Sequence, residues 1–296
     1  MFIRAGFDAA FEFVQPTPVL LLATIHPTQT SSIRWSERPS VVPAVDILEY
    51  TDVFGNECGR TVVPAGRIAF RSDAIVEVDG KPEMQAWDAR QHSIQELPSD
   101  VLQFLLASRY CEVDSELREV AWSLFGNLPA AWPLVQAVCD LVHQHIRFNY
   151  MLARANRTAL EVFHERTGVC RDYMHLAITL CRCLNVPARY CTGYLGDIGV
   201  PPQPDPMDFS AWFEVYLGHQ WYALDARNNR PRIGRILMGR GRDAADVALT
   251  TTFGLNSLHS FRVWTFAVAS MWPCERTLRG TPGEPPNPQE KPCNYH

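Results

Sequence analysis

Apolar residues recur at every second position in the first part of the chain. Between Phe7 and Phe13, apolar residues at the odd positions alternate with Asp8 and Glu12, the pattern of a strand with one buried face. Further apolar runs occur at 18–25, 41–42, 46–50, 60–63, 67–70 and 74–78, with turn-forming sequences at 54–56, 64–66 and 79–80. Many short strands at close spacing indicate a sandwich or a small barrel. Residues 1–85 are therefore predicted to form an N-terminal β-sandwich-like domain.

The hydrophobic period changes from two to about 3.6 after residue 98, and residues 86–98 are predicted to be a linker. Apolar residues at 117, 120, 121 and 124 share one face of a helix that Gly126 ends. Thr158 and Glu161 form a capping box that opens another helix. Other segments are predicted as helices at 101–107 and 134–146, strands at 186–195 and 258–268, and a hairpin at 208–226. Residues 99–270 are therefore predicted to form an α+β core, and residues 271–296, rich in Pro, Gly and charge, a disordered tail.

One cysteine lies where a helix is predicted to begin. Cys170 follows Gly168 closely, and the helix after it is apolar over so much of its circumference that it must be central to a domain. The unpaired N–H groups and the positive dipole end of a helix N-terminus favour a thiolate, which is the reactive form of cysteine. Position 170 is therefore predicted to carry a nucleophile. The competing interpretation is a buried structural thiol.

The predicted hairpin brings polar residues together downstream of this cysteine. With Gly218 and His219 as a two-residue loop, the register places residues 210, 212, 214, 221, 225 and 227 on one face. Ser210 then lies diagonally across from Asp225, within side-chain reach. A helix-start thiol followed by two strands with a polar residue and a carboxylate has the chain order of a thiol triad.

Four segments together resemble the core of the transglutaminase-like superfamily: 168–175 (GVCRDYMH), 186–194 (VPARYCTGY), 211–217 (AWFEVYL) and 221–225 (WYALD). The resemblance covers roughly residues 100–270, and residues 1–85 resemble the β-rich domain often attached to bacterial members. It implies a papain-like α+β fold that uses Cys, His and Asp for acyl transfer or amide hydrolysis on a peptide or related amide. No cofactor is expected. Carried across, Cys170 falls on the nucleophile and Asp225 on the orienting acid.

The chain departs from this family at one catalytic position. Ser210 stands immediately before Ala211 and Trp212, where the family usually has histidine. A serine hydroxyl cannot take a thiol proton as imidazole does, and the loss of a general base typically costs ~10²–10⁴ in rate. Three alternatives follow. Another histidine supplies the imidazole, or the helix end and Arg171 ionise Cys170 without a base, or the site is degenerate and only binds a ligand.

Other histidines and polar residues are weaker candidates. His175 is expected to be a core or supporting residue, His164 an exposed helix-end residue and His219 the hairpin tip. A set of further residues is predicted to supply an oxyanion donor or substrate contacts: Asn149, Tyr150, Trp212, Asn228 and His175. For Trp212 the competing role is core packing, and for Asn228 it is a turn.

Composition narrows the functional classes. The 296 residues are 47% hydrophobic and 20% charged, with a net charge of −5, which is ordinary for a globular protein and gives no nucleic-acid footprint. No apolar run reaches the ~20 residues of a membrane helix, and the first residues do not resemble a signal peptide. A cytoplasmic location with reduced thiols is therefore expected. The cysteines lack zinc-site spacing, so no metal is expected. The arginine-rich stretch 227–243 is either a pocket for carboxylate or phosphate or a solvated loop, and a homo-oligomer is compatible with the sequence.

Overall fold

The computed structural model describes residues 1–202 and 207–271. The predicted tail at 271–296 lies outside this part of the chain, apart from its first residue. The N-terminal alternation forms strands where it was found, although several short runs merge into longer ones. The strands are β1 (Phe2–Phe13), β2 (Thr17–Leu21), β3 (Ile33–Val42), β4 (Leu48–Thr51), β5 (Glu57–Val63) and β6 (Gly66–Glu77).

Two late strands complete the N-terminal sheets. They are β13 (Thr250–Thr252) and β14 (Asn256–Val268), and the two sheets have the orders β14-β1-β6-β3 and β13-β2-β5-β4. β14 pairs antiparallel with β1 along its whole length, from Phe2 opposite Val268 to Phe13 opposite Asn256. Both strands lie within the segment 99–270 predicted as the core, and their backbone hydrogen bonds go to strands of the first 85 residues.

The N-terminal sheets share their apolar core with the rest of the molecule. Their buried cluster includes Tyr194, Ile236 and Met238, which come from the sheet that carries the hairpin. The predicted linker 86–98 is also packed rather than free, since Leu97 lies buried in a cluster with Tyr216. The backbone N–H of the hairpin loop at residue 218 donates to a carbonyl of that linker at 2.9 Å. The segments therefore form one continuous packed body.

The helices surround a buried central one. They are α1 (Leu117–Phe125), α2 (Trp132–His145), α3 (Ala159–Glu165) and α4 (Cys170–Cys183). α4 contacts each of the other three, and its residues from Asp172 to Cys183 are all buried. The helix predicted at 101–107 is instead a single 3-10 turn, Leu102–Leu105. The central position predicted for the helix after Cys170 is therefore confirmed.

A third sheet packs against α4. Its order is β11-β10-β9-β12, built from β9 (Ala188–Tyr194), β10 (Ser210–Leu217), β11 (Gln220–Leu224) and β12 (Ile236–Gly241). A short parallel pair, β7 (Arg147–Phe148) and β8 (Thr167–Gly168), precedes α4. Helices on one face of an antiparallel sheet confirm the predicted α+β class.

The predicted hairpin register is confirmed. Leu217 lies opposite Gln220, and Gly218 and His219 have φ angles of +52° and +67°. Two successive residues in the left-handed region are what a type I′ turn requires, and this turn matches the natural twist of a hairpin. The paired residues run from Leu217 and Gln220 to Phe213 and Leu224. Ser210 at the start of β10 and Asp225 just after β11 therefore lie at the same end of the sheet.

The capping box of α3 offers a local test of stability. Thr158 Oγ1 accepts the N–H of Glu161 at 3.3 Å, and Glu161 Oε2 accepts the N–H of Thr158 at 2.9 Å. A Thr158→Ala variant is expected to lose about 1 kcal/mol of unfolding free energy, because one N-terminal donor loses its acceptor. Urea unfolding followed by circular dichroism measures this loss. An unchanged midpoint would show that α3 does not depend on the cap.

Candidate active site

The start of α4 is fixed by a buried carboxylate. Asp172 Oδ2 accepts the N–H of Val169 at 2.9 Å and a guanidinium N–H of Arg157 at 3.0 Å. A Cβ at Gly168 would lie 2.7 Å from the Asp172 Cβ, too close for any other residue without a shift. Glycine at 168 therefore lets Asp172 fold back over the helix end, and this arrangement fixes Cys170 as the first residue of α4. The turn into this segment is made by Arg166, at φ +52°.

The Cys170 thiol is half-buried and faces a cleft of about 150 Å³. The backbone N–H groups of Arg171 and Ala211 hydrogen-bond its sulfur. Cys170 therefore packs against the helical core on one side and borders the cleft on the other, where a ligand would lie. The cleft is lined by Phe148, Tyr150, Cys170, Leu195, Asp197, Met207, Asp208, Phe209, Ser210, Arg227, Asn228 and Arg232.

Burial raises the pKa of the Cys170 thiol above its ordinary value. The positive charge of Arg227 and the two backbone N–H groups act in the opposite direction, and the negative charge of Asp208 raises the pKa further. Arg171 was expected to help ionise the thiol, but its guanidinium donates to Asp172 Oδ1 at 3.3 Å. The prediction of a lowered pKa is therefore wrong, because the loss of solvation outweighs the helix end.

The raised pKa gives a direct expectation for alkylation. The thiolate is the species that reacts with iodoacetamide, so labelling of Cys170 at pH 7 is expected to be slower than that of glutathione. It should rise with pH and reach its plateau later than glutathione does. Pulse labelling between pH 6 and 11, followed by peptide mass spectrometry, gives the profile. A plateau already reached at neutral pH would contradict this assignment of charge.

Asp225 is held by hydrogen bonds within its own turn and by an arginine. Its Oδ1 accepts the N–H groups of Arg227 and Asn228 at 3.0 Å each, and its Oδ2 accepts Asn228 Nδ2 at 2.8 Å and Arg235 Nη2 at 3.0 Å. Burial works to raise the pKa of Asp225, but Arg235 and the Asn228 hydrogen bonds outweigh it and hold the pKa below its ordinary value. Asp225 is predicted to be the orienting acid of a triad, and in the structure Arg235 and the turn that follows Asp225 donate hydrogen bonds to its carboxylate.

Ser210 and Trp212 have different surroundings although they share a strand face. Ser210 lines the cleft beside Cys170. Trp212 is only 2% exposed and packs with Cys191 and Leu237, with the Arg235 guanidinium 5.1 Å from its ring centre. The structure therefore places Trp212 in the core and keeps Ser210 at the site.

His175, expected to be either a core or a supporting residue, belongs to the core. It is fully buried on α4, its Nε2 accepts the N–H of Ala244 at 3.2 Å, and its ring stacks on Tyr110 at 5.0 Å. Burial lowers the pKa of His175 well below its ordinary value. The ring is therefore neutral and fixes the packing of α4 rather than handling a substrate proton.

The remaining histidines of the described residues lie away from the cleft lining. His164 pairs with Glu116 at 2.6 Å, and His219 lies against His92 at the hairpin tip, with tilted rings whose centres are 4.1 Å apart. His143 contacts the carbonyl oxygen of Arg227, which lies 2.8 Å from its Nδ1. Of the histidines in residues 1–202 and 207–271, none lines the cleft. The alternative in which another histidine serves as the base has no support from these positions.

The structure adds one site residue that sequence reasoning missed. Asp208 lies just before β10, and one of its carboxylate oxygens accepts the hydroxyl hydrogen of Tyr150. Tyr150 was predicted at the site, whereas Asn149 turns away and caps the 3-10 helix Tyr150–Leu152 by accepting the Met151 N–H at 3.0 Å. Asn228, also predicted, lines the cleft. Since 58 positions separate Tyr150 from Asp208, no local sequence signal pairs them.

Two cysteines considered as metal ligands lie in the apolar core. Cys181 and Cys191 are fully buried in apolar clusters. In the described ranges, no group of three or more His, Cys, Asp or Glu side chains could hold a metal ion. Within the same ranges, every helix is too short or too polar to cross a lipid bilayer.

Comparison with known proteins bears on this site. The model of the transglutaminase-like superfamily matches residues 123–226, a range that includes Cys170, Ser210 and Asp225. A solved structure from Cytophaga hutchinsonii, named as a candidate cysteine protease, is 28% identical to this chain, with a TM-score of 0.77 and 91% of both chains covered. The similarity therefore extends over the N-terminal sheets as well as the core.

Curated relatives show a similar degree of identity. Uncharacterized proteins of Mycobacterium tuberculosis and Mycobacterium bovis are each 32% identical to this chain over 209 residues. The match covers 62% of this chain and 64% of each relative, so it spans just under two thirds of their length. An uncharacterized protein of Mycobacterium leprae is 31% identical over 99 residues.

Proposed function

We propose that this chain, whose residues 123–226 are a transglutaminase-like core, is a thiol enzyme that acts on a peptide or related amide through Cys170. It hydrolyses the amide or transfers its acyl group. The observation that carries the proposal is the position of the thiol: it lies at the first turn of α4, is hydrogen-bonded by two backbone N–H groups and opens on a cleft. A structural thiol has no need of such access.

The reaction follows from this geometry. The Cys170 sulfur attacks the amide carbonyl carbon, the C–N bond breaks, and the amine leaves with a proton while the acyl group stays on sulfur as a thioester. Water or a second amine then takes the acyl group and restores the thiol. The N–H groups of Arg171 and Ala211 and the charge of Arg227 stabilise the sulfur anion and partly offset its burial.

The size of the cleft limits what enters it. At about 150 Å³ it is smaller than the ~300 Å³ at the lower end of small-molecule sites, so the reacting amide and a small neighbouring group fill it. The rest of a peptide would lie outside the cleft. Met151 and Leu152, which follow the cleft residue Tyr150 in the chain, are 91% and 49% exposed. An extended peptide amide fits this shape better than a large enclosed ligand does.

Trapping the thioester tests the proposal. Matched sets of N-acetyl-aminoacyl p-nitrophenyl esters and p-nitroanilides serve as acyl donors, and intact-mass spectrometry with peptide mapping locates the adduct. An acyl group on Cys170, lost in a Cys170→Ser variant and kept in a Cys58→Ser variant, is expected. Cys58 is a suitable control because it is also a half-buried free thiol. Absence of an adduct, or an adduct elsewhere, would contradict thiol catalysis at this site.

A ligand-binding protein on the same fold is the second candidate. It is favoured by Ser210 at the usual histidine position and by Arg235 bound to Asp225 at 3.0 Å. In that case the wild-type protein forms no thioester. Cys170→Ser would then leave the affinity for a peptide ligand unchanged in calorimetric titration, whereas an enzyme would show the covalent adduct described above.

A further inference from the structure

The cleft that contains Cys170 also contains a hydrogen-bonded pair, Tyr150 and Asp208. The Tyr150 hydroxyl donates to Asp208 Oδ2, and Asp208 Oδ1 accepts the N–H of Phe209 at 2.7 Å. Both donors are neutral groups. Tyr150 stands on the 3-10 turn after β7, and Asp208 lies just before β10, so the pair bridges the two sides of the cleft.

The pair and the thiol interact through their charges as well as by position. Tyr150, Cys170 and Asp208 all line the cleft. Burial and the hydrogen bond to Asp208 raise the pKa of Tyr150 above its ordinary value, and a negative charge on Cys170 raises it further. Tyr150 therefore keeps its proton at neutral pH and stays a hydroxyl that can both donate and accept. Such a group is suited to passing a proton rather than storing a charge.

The second carboxylate that lines the cleft, Asp197, lies near a guanidinium. Asp197 lies 3.6 Å from the guanidinium of Arg232, which is itself almost fully buried. Asp208 instead accepts hydrogen bonds from the Tyr150 hydroxyl and a backbone N–H. Of the two carboxylates lining the cleft in the described ranges, Asp208 is therefore the one in direct contact with a hydroxyl that also lines it.

We propose that Asp208, acting through the Tyr150 hydroxyl, performs the proton transfers that histidine performs in the related triads. This inference rests on the proposed function. As the Cys170 sulfur attacks, its proton passes to Tyr150 Oη while the Tyr150 proton passes to Asp208. When the C–N bond breaks, Tyr150 gives its proton to the leaving nitrogen and Asp208 restores the tyrosine. The thiol proton thus leaves with the amine, and the pair returns to its starting state.

Two variants separate proton transfer from simple electrostatics. Asp208→Asn removes a negative charge that opposes the thiolate, so iodoacetamide should alkylate Cys170 faster at pH 7 than in the wild type. The same variant should cleave the p-nitroanilides ~10²–10⁴-fold more slowly, since it lacks the proton acceptor. A residue acting only through its charge would change both rates in the same direction. Tyr150→Phe keeps the aromatic ring but lacks the hydroxyl, and its rate of p-nitroanilide cleavage should fall by a similar factor.

The leaving group provides the matched comparison. A p-nitrophenolate needs no proton to depart, so both variants should lose much less activity on the esters than on the anilides with the same acyl groups. Asp208→Glu should recover part of the anilide rate. Asp100→Asn, which changes an exposed carboxylate near the start of the core, serves as the charge control.

The outcomes distinguish this inference from the function on which it rests. A wild-type protein that forms no thioester at Cys170 overturns the proposed function. Wild-type anilide cleavage that depends on Cys170 but persists at full rate in Asp208→Asn and Tyr150→Phe overturns the proton relay alone. If Asp208→Asn fails to fold, as judged by its thermal melt, Tyr150→Phe still decides the question.

Discussion

An Arg182→Met variant is expected to be less stable than the wild type by several kcal/mol. Arg182 lies on α4 and is 2% exposed. Its Nε and Nη2 donate to the carbonyl of Ala188 at 3.0 and 2.8 Å, its Nη1 to that of Leu106 at 3.0 Å, and its Nη2 to that of Arg242 at 2.6 Å. Methionine fills much of the volume but donates nothing, and each buried carbonyl left unpaired costs about 1–3 kcal/mol.

The three carbonyls belong to separate parts of the chain. The unfolding free energy lost in Arg182→Met should therefore exceed the loss caused by replacing a surface arginine. Urea unfolding measures it, and Arg118→Met is the control, since exposed Arg118 donates a single hydrogen bond to the Val113 carbonyl at 3.1 Å. Arg182→Lys should recover little, because one ammonium cannot reach acceptors on both sides of a guanidinium. A loss in Arg182→Met no greater than that in Arg118→Met would show that the bonded carbonyls find other partners.

Local patterns were sufficient for the elements around the thiol. The capping box at Thr158, the apolar helix after Cys170 and the Gly218 turn each act over a few residues, so their sequence signals survive in the structure. The pairing of β14 with β1 was not predictable in this way. Strands with one buried face look alike in sequence, and nothing local indicates that Phe2 pairs with Val268.

The chemistry of the site was less predictable than its position. The helix end at Cys170 favours a thiolate, but burial has the largest effect on its pKa, and the charges of Asp208 and Arg227 also act on it. The register correctly brought Asp225 to the site end of the hairpin, yet its partner Arg235 comes from beyond the hairpin. Charges that meet through tertiary packing leave no mark on sequence spacing, and this is why the sequence did not predict the contact between Asp225 and Arg235.

An Asp225→Ala variant is expected to lose about 3–5 kcal/mol of unfolding free energy, because removing one partner of a buried ion pair leaves the other charge buried alone. The side chains of Asp225 and Arg235 are 1% and 6% exposed. Glu83 also contacts Arg235 and should limit the loss to the lower part of that range. The variant also frees the N–H groups of Arg227 and Asn228, two residues that line the cleft.

The pH dependence of this loss has a definite sign. Since the pKa of Asp225 is lowered on folding, its stabilising contribution is fully present above the ordinary aspartate pKa. It disappears as the pH falls through the lower, folded-state value. The difference in unfolding free energy between the wild type and Asp225→Ala should therefore be constant near pH 7 and shrink in acid. Urea unfolding at a series of pH values measures this difference.

A double-mutant cycle then separates the ion pair from a catalytic role for Asp225. Asp225→Ala and Arg235→Met should each be strongly destabilising, whereas the double variant should lose less than their sum, because neither charge is left without its partner. The coupling between two such contacting groups is expected to be at least about 1 kcal/mol. Additive losses would mean that the two side chains act independently. In that case the ion pair with Arg235 would not hold the Asp225 carboxylate, which would remain a candidate for orienting a catalytic group.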